Sequence, residues 1–156
     1  MAKKKQKKTL NNGFEHTEEA IKQRGEVFTP TTLVNEMLDK LPPEVFTDPT
    51  KTFLDNSCGN GQFLFEVMRR KMMTMPPTKG RDFFIRHRKA LLTIFGVELD
   101  EKNAIECRKR LLGKSDSVEL QELVRLHIIC ADALDPNHPG WNEVGFYWSK
   151  LYPDKE

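Results

Sequence analysis

The sequence predicts an α/β domain built on a parallel sheet, and three observations carry that prediction. Short apolar runs, Thr52 to Asp55, Leu92 to Leu99 and His127 to Ala133, are the right length for buried strands. Segments of helical periodicity separate them, giving the order strand, helix, strand, helix, strand. A glycine-rich turn, Asn56-Ser57-Cys58-Gly59-Asn60-Gly61, joins the first run to the helix behind it. Alternation of this kind argues for right-handed crossovers between parallel strands.

Residues 1–24 are polar and charged. Lys3, Lys4, Lys5, Lys7 and Lys8 crowd the start, and Asn11, Asn12 and Gly13 follow. This reads as a basic, solvated tail with local order near Glu15 to Lys22. Phosphate contact is the alternative, because lysines near DNA displace condensed counterions. The remainder, 25–156, reads as one domain. Gly25 to Pro30 forms a loop, and Thr31 or Thr32 is placed to cap the next helix. There Leu33, Val34, Met37, Leu38 and Leu41 recur at helical spacing until Pro42 and Pro43 stop it.

After the glycine turn, Phe63, Leu64, Val67, Met68 and Met72 share one face of a helix that ends near Pro76, Pro77 and Gly80. Arg81 to Leu91 reads as a second helix inside the same crossover. Its face Arg81, Arg86, Arg88 and Lys89 is either solvated or a contact for DNA backbone. Glu101 to Leu112 is helical and closes at Gly113 in the manner of a C-cap. Asp116 and Glu119 have capping-box spacing ahead of Val118, Leu123 and Val124. Trp141, Phe146, Tyr147, Trp148 and Tyr152 make the last stretch unusually aromatic.

The chain has 156 residues, 38% apolar and 31% charged, with a net charge of +2, so overall charge does not announce nucleic acid binding. Cys58, Cys107 and Cys130 have no metal-like or paired spacing, which fits free thiols in a reducing cytosol. No stretch approaches the ~20 apolar residues that span a bilayer. The basic start lacks the apolar core of a signal peptide.

Three places carry chemistry. Gly59 and Gly61 allow positive φ and close approach of a ligand to the backbone, and the helix N-terminus beyond them favours an anionic group. Glu98 ends the second strand, where a carboxylate accepts hydrogen bonds from ribose hydroxyls; a solvated residue at a strand end is its alternative role. Asp132 ends the third, where a carboxylate accepts from an adenine amino group; a turn or cap is its alternative role. Acidic residues ending successive strands converge on the carboxyl edge of such a sheet, the edge where ligands bind. A nucleoside ligand follows.

Phe53-Leu-Asp-Asn-Ser-Cys-Gly-Asn-Gly-Gln-Phe-Leu64 resembles the cofactor motif of the N6-adenine DNA methyltransferases of restriction–modification systems. Gly25-Glu-Val-Phe-Thr-Pro30 is similar to that family's upstream motif, Phe95-Gly-Val-Glu-Leu-Asp100 to its ribose-binding strand end, and Ile129-Cys-Ala-Asp-Ala-Leu134 to its adenine-binding one. The resemblance implies a Rossmann-like, S-adenosylmethionine-dependent methyltransferase fold. It implies S-adenosyl-L-methionine as cofactor, held by Phe28, Thr29, Pro30, Asp55, Asn56, Cys58, Gly59, Gly61, Glu98, Leu99, Asp132 and Ala133. It implies methyl transfer to adenine in DNA, in the cytoplasm of a bacterium or phage-infected cell, without metal or membrane.

The resemblance stops short of the family's catalytic motif, Asn (or Asp or Ser)-Pro-Pro-aromatic. Pro42-Pro43 and Pro76-Pro77 lack the flanking polar and aromatic residues, and both lie upstream of its place. No catalytic residue is assigned. The fold is therefore expected to be truncated after its third strand, with spatial order 3-2-1 and the first strand at an edge. An exposed apolar edge invites a cover: the segment Glu143 to Tyr152 folded back as a strand, a second copy, or a separate polypeptide bringing the catalytic motif. Trp141, Phe146 and Trp148 packed under the sheet are the alternative. Two functions stay open: an enzyme completed by a partner or further domain, and a non-catalytic cofactor- or DNA-binding or decoy module. A purely structural role fits less well, because the cofactor residues look intact together.

Overall fold

The computed structural model describes residues 9–11, 14–16, 28–77, 79–80 and 82–143. Within the expected tail lie two short strands, β1 (Thr9–Asn11) and β2 (Phe14–His16), paired antiparallel with Thr9 opposite His16. The stretch 17–22, expected to order locally, lies outside the described residues.

Helix α1 (Thr31–Asp39) starts after Pro30, its N-cap in extended conformation (φ −58°, ψ 146°), with no side-chain cap. This corrects the expected threonine cap. Proline's φ is pre-set for entry into a helix, and the Pro30 carbonyl accepts from Val34 N at 3.0 Å. Val34 and Leu38 are buried, while Leu33 and Met37 remain largely exposed. A short helix α2 (Glu44–Thr47) follows.

The parallel sheet consists of β3 (Phe53–Asp55), β4 (Ile94–Glu98) and β5 (Ile128–Cys130), in spatial order β3-β4-β5. Among the described residues the sheet has these three strands, with β3 at one end of the order. Asp55 lies opposite Gly96, and Glu98 opposite Cys130. The expected third strand, His127 to Ala133, shrinks at both ends. His127 closes the preceding helix because its Nδ1 is held at 2.9 Å from the Leu91 carbonyl and 3.1 Å from that of Ile94. Ala131 N gives the ladder its last bond, to the Glu98 carbonyl, and the chain bends away there.

The first crossover holds α3 (Gln62–Thr74) and α4 (Asp82–Leu91). The second holds α5 (Glu101–Leu112) and α6 (Val118–His127). Gly113 ends α5 at φ 63°, the conformation a side chain resists. Ser117, not Asp116, caps α6: its side chain accepts from Leu120 N at 3.4 Å, because the helix begins one residue later than the capping-box spacing predicts.

Alternation divides the sheet's faces. Ile94 and Ile128 pack with Leu64 and Val67 of α3, Cys107 and Leu111 of α5, and Leu120 and Val124 of α6. Val97 and Ile129 point the other way and form a smaller cluster with Ala131 and Trp141. Trp141 sits in a 3-10 turn (Pro139–Glu143) that crowds β5: a Cβ on Gly140 would fall 2.0 Å from the Cys130 carbonyl oxygen. Leu54 shares this second face at the β3 edge and is 62% exposed. Of the expected covering segment Glu143 to Tyr152, Glu143 closes the 3-10 turn and the rest lies outside the described residues.

Candidate functional site: the carboxyl edge of the sheet

The turn after β3 is threaded against the neighbouring strand. Cys58 N donates to the Val97 carbonyl at 3.0 Å, and Gly59 N donates to Glu98 Oε2 at 2.7 Å. Across β4, Ala131 N donates to the Glu98 carbonyl at 3.0 Å. Glu98 thus joins all three strand ends. Its other oxygen, Oε1, accepts from Asp100 N at 2.9 Å. An ionised carboxylate has about four lone-pair sites, so each oxygen retains capacity for a ligand hydroxyl.

Gly59 and Gly61 both have positive φ, 52° and 81°. Gly61 also has no room for a side chain, since a Cβ there would lie 2.5 Å from Cys107 Sγ. Phe28 closes the opposite side: its ring lies 3.4 Å from the place of a Gly59 Cβ. The upstream segment therefore reaches the glycine turn. Of its other residues, Thr29 is half-buried, and Pro30 is exposed and begins α1.

Asp55 ends β3, half-buried, with Oδ1 accepting from Ser57 N at 3.1 Å. Burial pushes its carboxyl pKa above the ordinary value, opposed by that backbone hydrogen bond. Asn56 is exposed beside it. Cys58 is buried, and its thiol turns inward to Cys107, the sulfurs 3.9 Å apart. This contact, with burial, pushes the Cys58 thiol pKa well up. Its contribution is packing under the turn. Leu99, 63% exposed, follows Glu98. Asp132 and Ala133 follow β5; Asp132 Oδ1 accepts from Leu134 N at 2.8 Å, the turn role that was its alternative.

Other supports of the turn had no signal in the sequence. Arg110 Nε donates to the Asn60 carbonyl at 2.9 Å from 50 residues away, and Asn60 is buried. The basic face of α4 is partly neutralised: Arg86 pairs with Asp82, and Arg88 with Glu119 on α6. Arg81 lies outside the described residues. His87 and His127 are buried and bonded to backbone carbonyls, which are structural roles. Among the described residues, no three His, Cys, Asp or Glu side chains gather as a metal site, and no helix is long and apolar enough to cross a membrane.

The residues present fit S-adenosylmethionine by donor chemistry. A carboxylate at the β4 end suits a diol, and a glycine turn against a helix N-terminus suits a carboxylate group. The sequence model of the family N-6 DNA Methylase matches residues 14–140. No curated protein matches the chain. The match takes in the turn, Phe28 and all three strand ends, and that family generally uses S-adenosylmethionine. The chain, DNA methyltransferase-like in general function, belongs to the N-6 DNA methylase family.

Proposed function

We propose that this chain binds S-adenosylmethionine at the carboxyl edge of its sheet and is the cofactor-holding part of an adenine-N6 DNA methyltransferase. When bound, that cofactor supplies an electrophilic methyl group. The glycine turn holds the amino-acid end, with Asp55 accepting from its ammonium group. Glu98 accepts from the ribose hydroxyls, and Asp132 from the adenine amine. Phe28 and Leu99 exclude water from either side. The observation that carries this reading is the joining of all three strand ends at Glu98, through Gly59 N at 2.7 Å and Ala131 N at 3.0 Å.

The catalytic Asn-Pro-Pro-aromatic motif, which would accept from the target amine and stack on the flipped base, is not in this sequence. A partner or a further domain supplies it in this proposal. The β3 edge is the place for it to dock: β3 pairs only with β4 among the described residues, and Leu54 is exposed there. The setting proposed is restriction–modification in a bacterial or phage-infected cell.

Calorimetric titration of the chain with S-adenosylmethionine tests the first step. One-site binding, weakened about tenfold or more by Asp55→Ala and by Glu98→Ala (~1.4 kcal/mol each), is expected. Absence of binding by calorimetry and by a second method overturns it. The missing motif favours one other reading, a non-catalytic module that binds cofactor or DNA. Methylation of adenine in DNA, assayed with and without candidate partner proteins, separates the two: cofactor binding with no transfer under any combination supports the module.

A further inference from the structure

The glycine turn is flanked by two carboxylates. Asp55 stands at its start, and Glu98 Oε2 accepts from Gly59 N at 2.7 Å. The Cys58 thiol, within the turn, feels the negative charge of both. A ligand carboxylate placed on this turn meets two like charges nearby, which disfavour its ionised form.

Arg110 is bonded to the same turn. Its Nε donates to the Asn60 carbonyl at 2.9 Å, and Asn60 is buried between Gly59 and Gly61. Arg110 lies in the last turn of α5, three residues after Cys107, which packs against Gly61. Residues three apart are neighbours on a helix surface. One face of α5 therefore gives a sulfur to Gly61 and a cation to the peptide group before it. The last turn of a helix stabilises a cation. Arg110 is half-buried, so solvent screens its charge less than that of an exposed group. Glu106, one turn earlier, pairs with Lys109. We propose that Arg110 is a positioning residue that sets the ligand specificity of the turn: through the Asn60 peptide its charge offsets Asp55 and Glu98, so that the turn accepts a ligand carboxylate. This rests on the reading that S-adenosylmethionine lays its amino-acid end on the turn. Asp55 then takes the ammonium group, and the turn backed by Arg110 takes the carboxylate. A ligand without that carboxylate gains nothing from Arg110.

The test compares S-adenosylmethionine with its decarboxylated form, which lacks only that carboxylate, by calorimetric titration of the full chain. The unaltered chain is expected to bind the intact cofactor at least about tenfold more tightly. Arg110→Gln keeps an N–H donor and removes the charge. It is expected to erase about tenfold of that preference by weakening the intact cofactor alone. Arg110→Lys, which keeps the charge, is expected to retain the preference. Equal weakening of both ligands by Arg110→Gln, or of neither, overturns the proposal, because a merely structural support affects both alike. An unaltered chain that binds the two ligands alike overturns this proposal and leaves the cofactor reading standing. One that binds neither overturns both. Should Arg110→Gln unfold, Arg110→Lys decides: a kept preference supports the proposal and a lost one overturns it.

Discussion

Glu98 holds the glycine turn with its own side chain, its Oε2 accepting from Gly59 N at 2.7 Å while its Oε1 accepts from Asp100 N. One side chain therefore fixes both the turn after β3 and the entry to α5, whose N-cap is Asp100. Glu98→Ala leaves both amides without their acceptor. Hydrogen exchange at Gly59 and Asp100 is expected to quicken about tenfold or more, as the loss of one charge-assisted hydrogen bond predicts. Amides of α6 are expected to keep their rates, which separates a local loosening from general unfolding.

Gly61 is expected to tolerate no side chain. Its φ of 81° disfavours an L-residue, and a Cβ would meet Cys107 Sγ at 2.5 Å. Strain and overpacking together place Gly61→Ala at about 2–4 kcal/mol of lost stability. Adding Cys107→Ala removes the sulfur and leaves the φ strain, so the double variant is expected to lose less than the sum of the single ones. Urea unfolding of the four proteins measures this coupling.

The buried histidines predict a stability that falls with falling pH. Burial lowers the pKa of His87 and of His127 below the ordinary 6.5, against the hydrogen bonds to Leu111 and to Leu91 and Ile94. As pH drops through about 6.5, the unfolded chain protonates both rings before the folded chain does. The unfolded state binds more protons in that window. Stability is then lost by up to about 1.4 kcal/mol per pH unit for each histidine, until the lower folded values are passed. Urea midpoints measured from pH 7.5 to pH 5.5 check the slope. His87→Gln, whose amide still donates to the Leu111 carbonyl, is expected to reduce it by about half.

Thiol labelling is expected to divide the cysteines. Cys58 and Cys107 are buried in mutual contact, and Cys130 is partly exposed. Thiolate is the reactive species, and the Cys58 thiol is pushed well above its ordinary value. Iodoacetamide at pH 7.5 is expected to label Cys130 in the folded chain at least about tenfold faster than the other two, and all three alike in denaturant. Mass spectrometry of the peptides reads the ratio.

Local chemistry made much of this protein legible from residue order alone. Gly113 closes α5 where a left-handed residue is needed, Gly59 and Gly61 mark a turn with positive φ, and Glu98 falls at a strand end, because each depends on its immediate neighbours. Boundaries set by distant partners were not legible. The third strand looked longer because His127 is apolar-flanked in sequence, yet carbonyls of Leu91 and Ile94 hold it in the helix. Threonine looked like the cap of α1 until Pro30 took the place. Cys107 beneath the glycine turn, 49 residues from Cys58, and Arg110 on the Asn60 carbonyl, 50 residues away, come together only when α5 packs against α3. No spacing rule links residues so far apart. Burial of Cys58 against Cys107 and of Leu64 against Ile128 fixes them, and the turn's geometry follows from that packing.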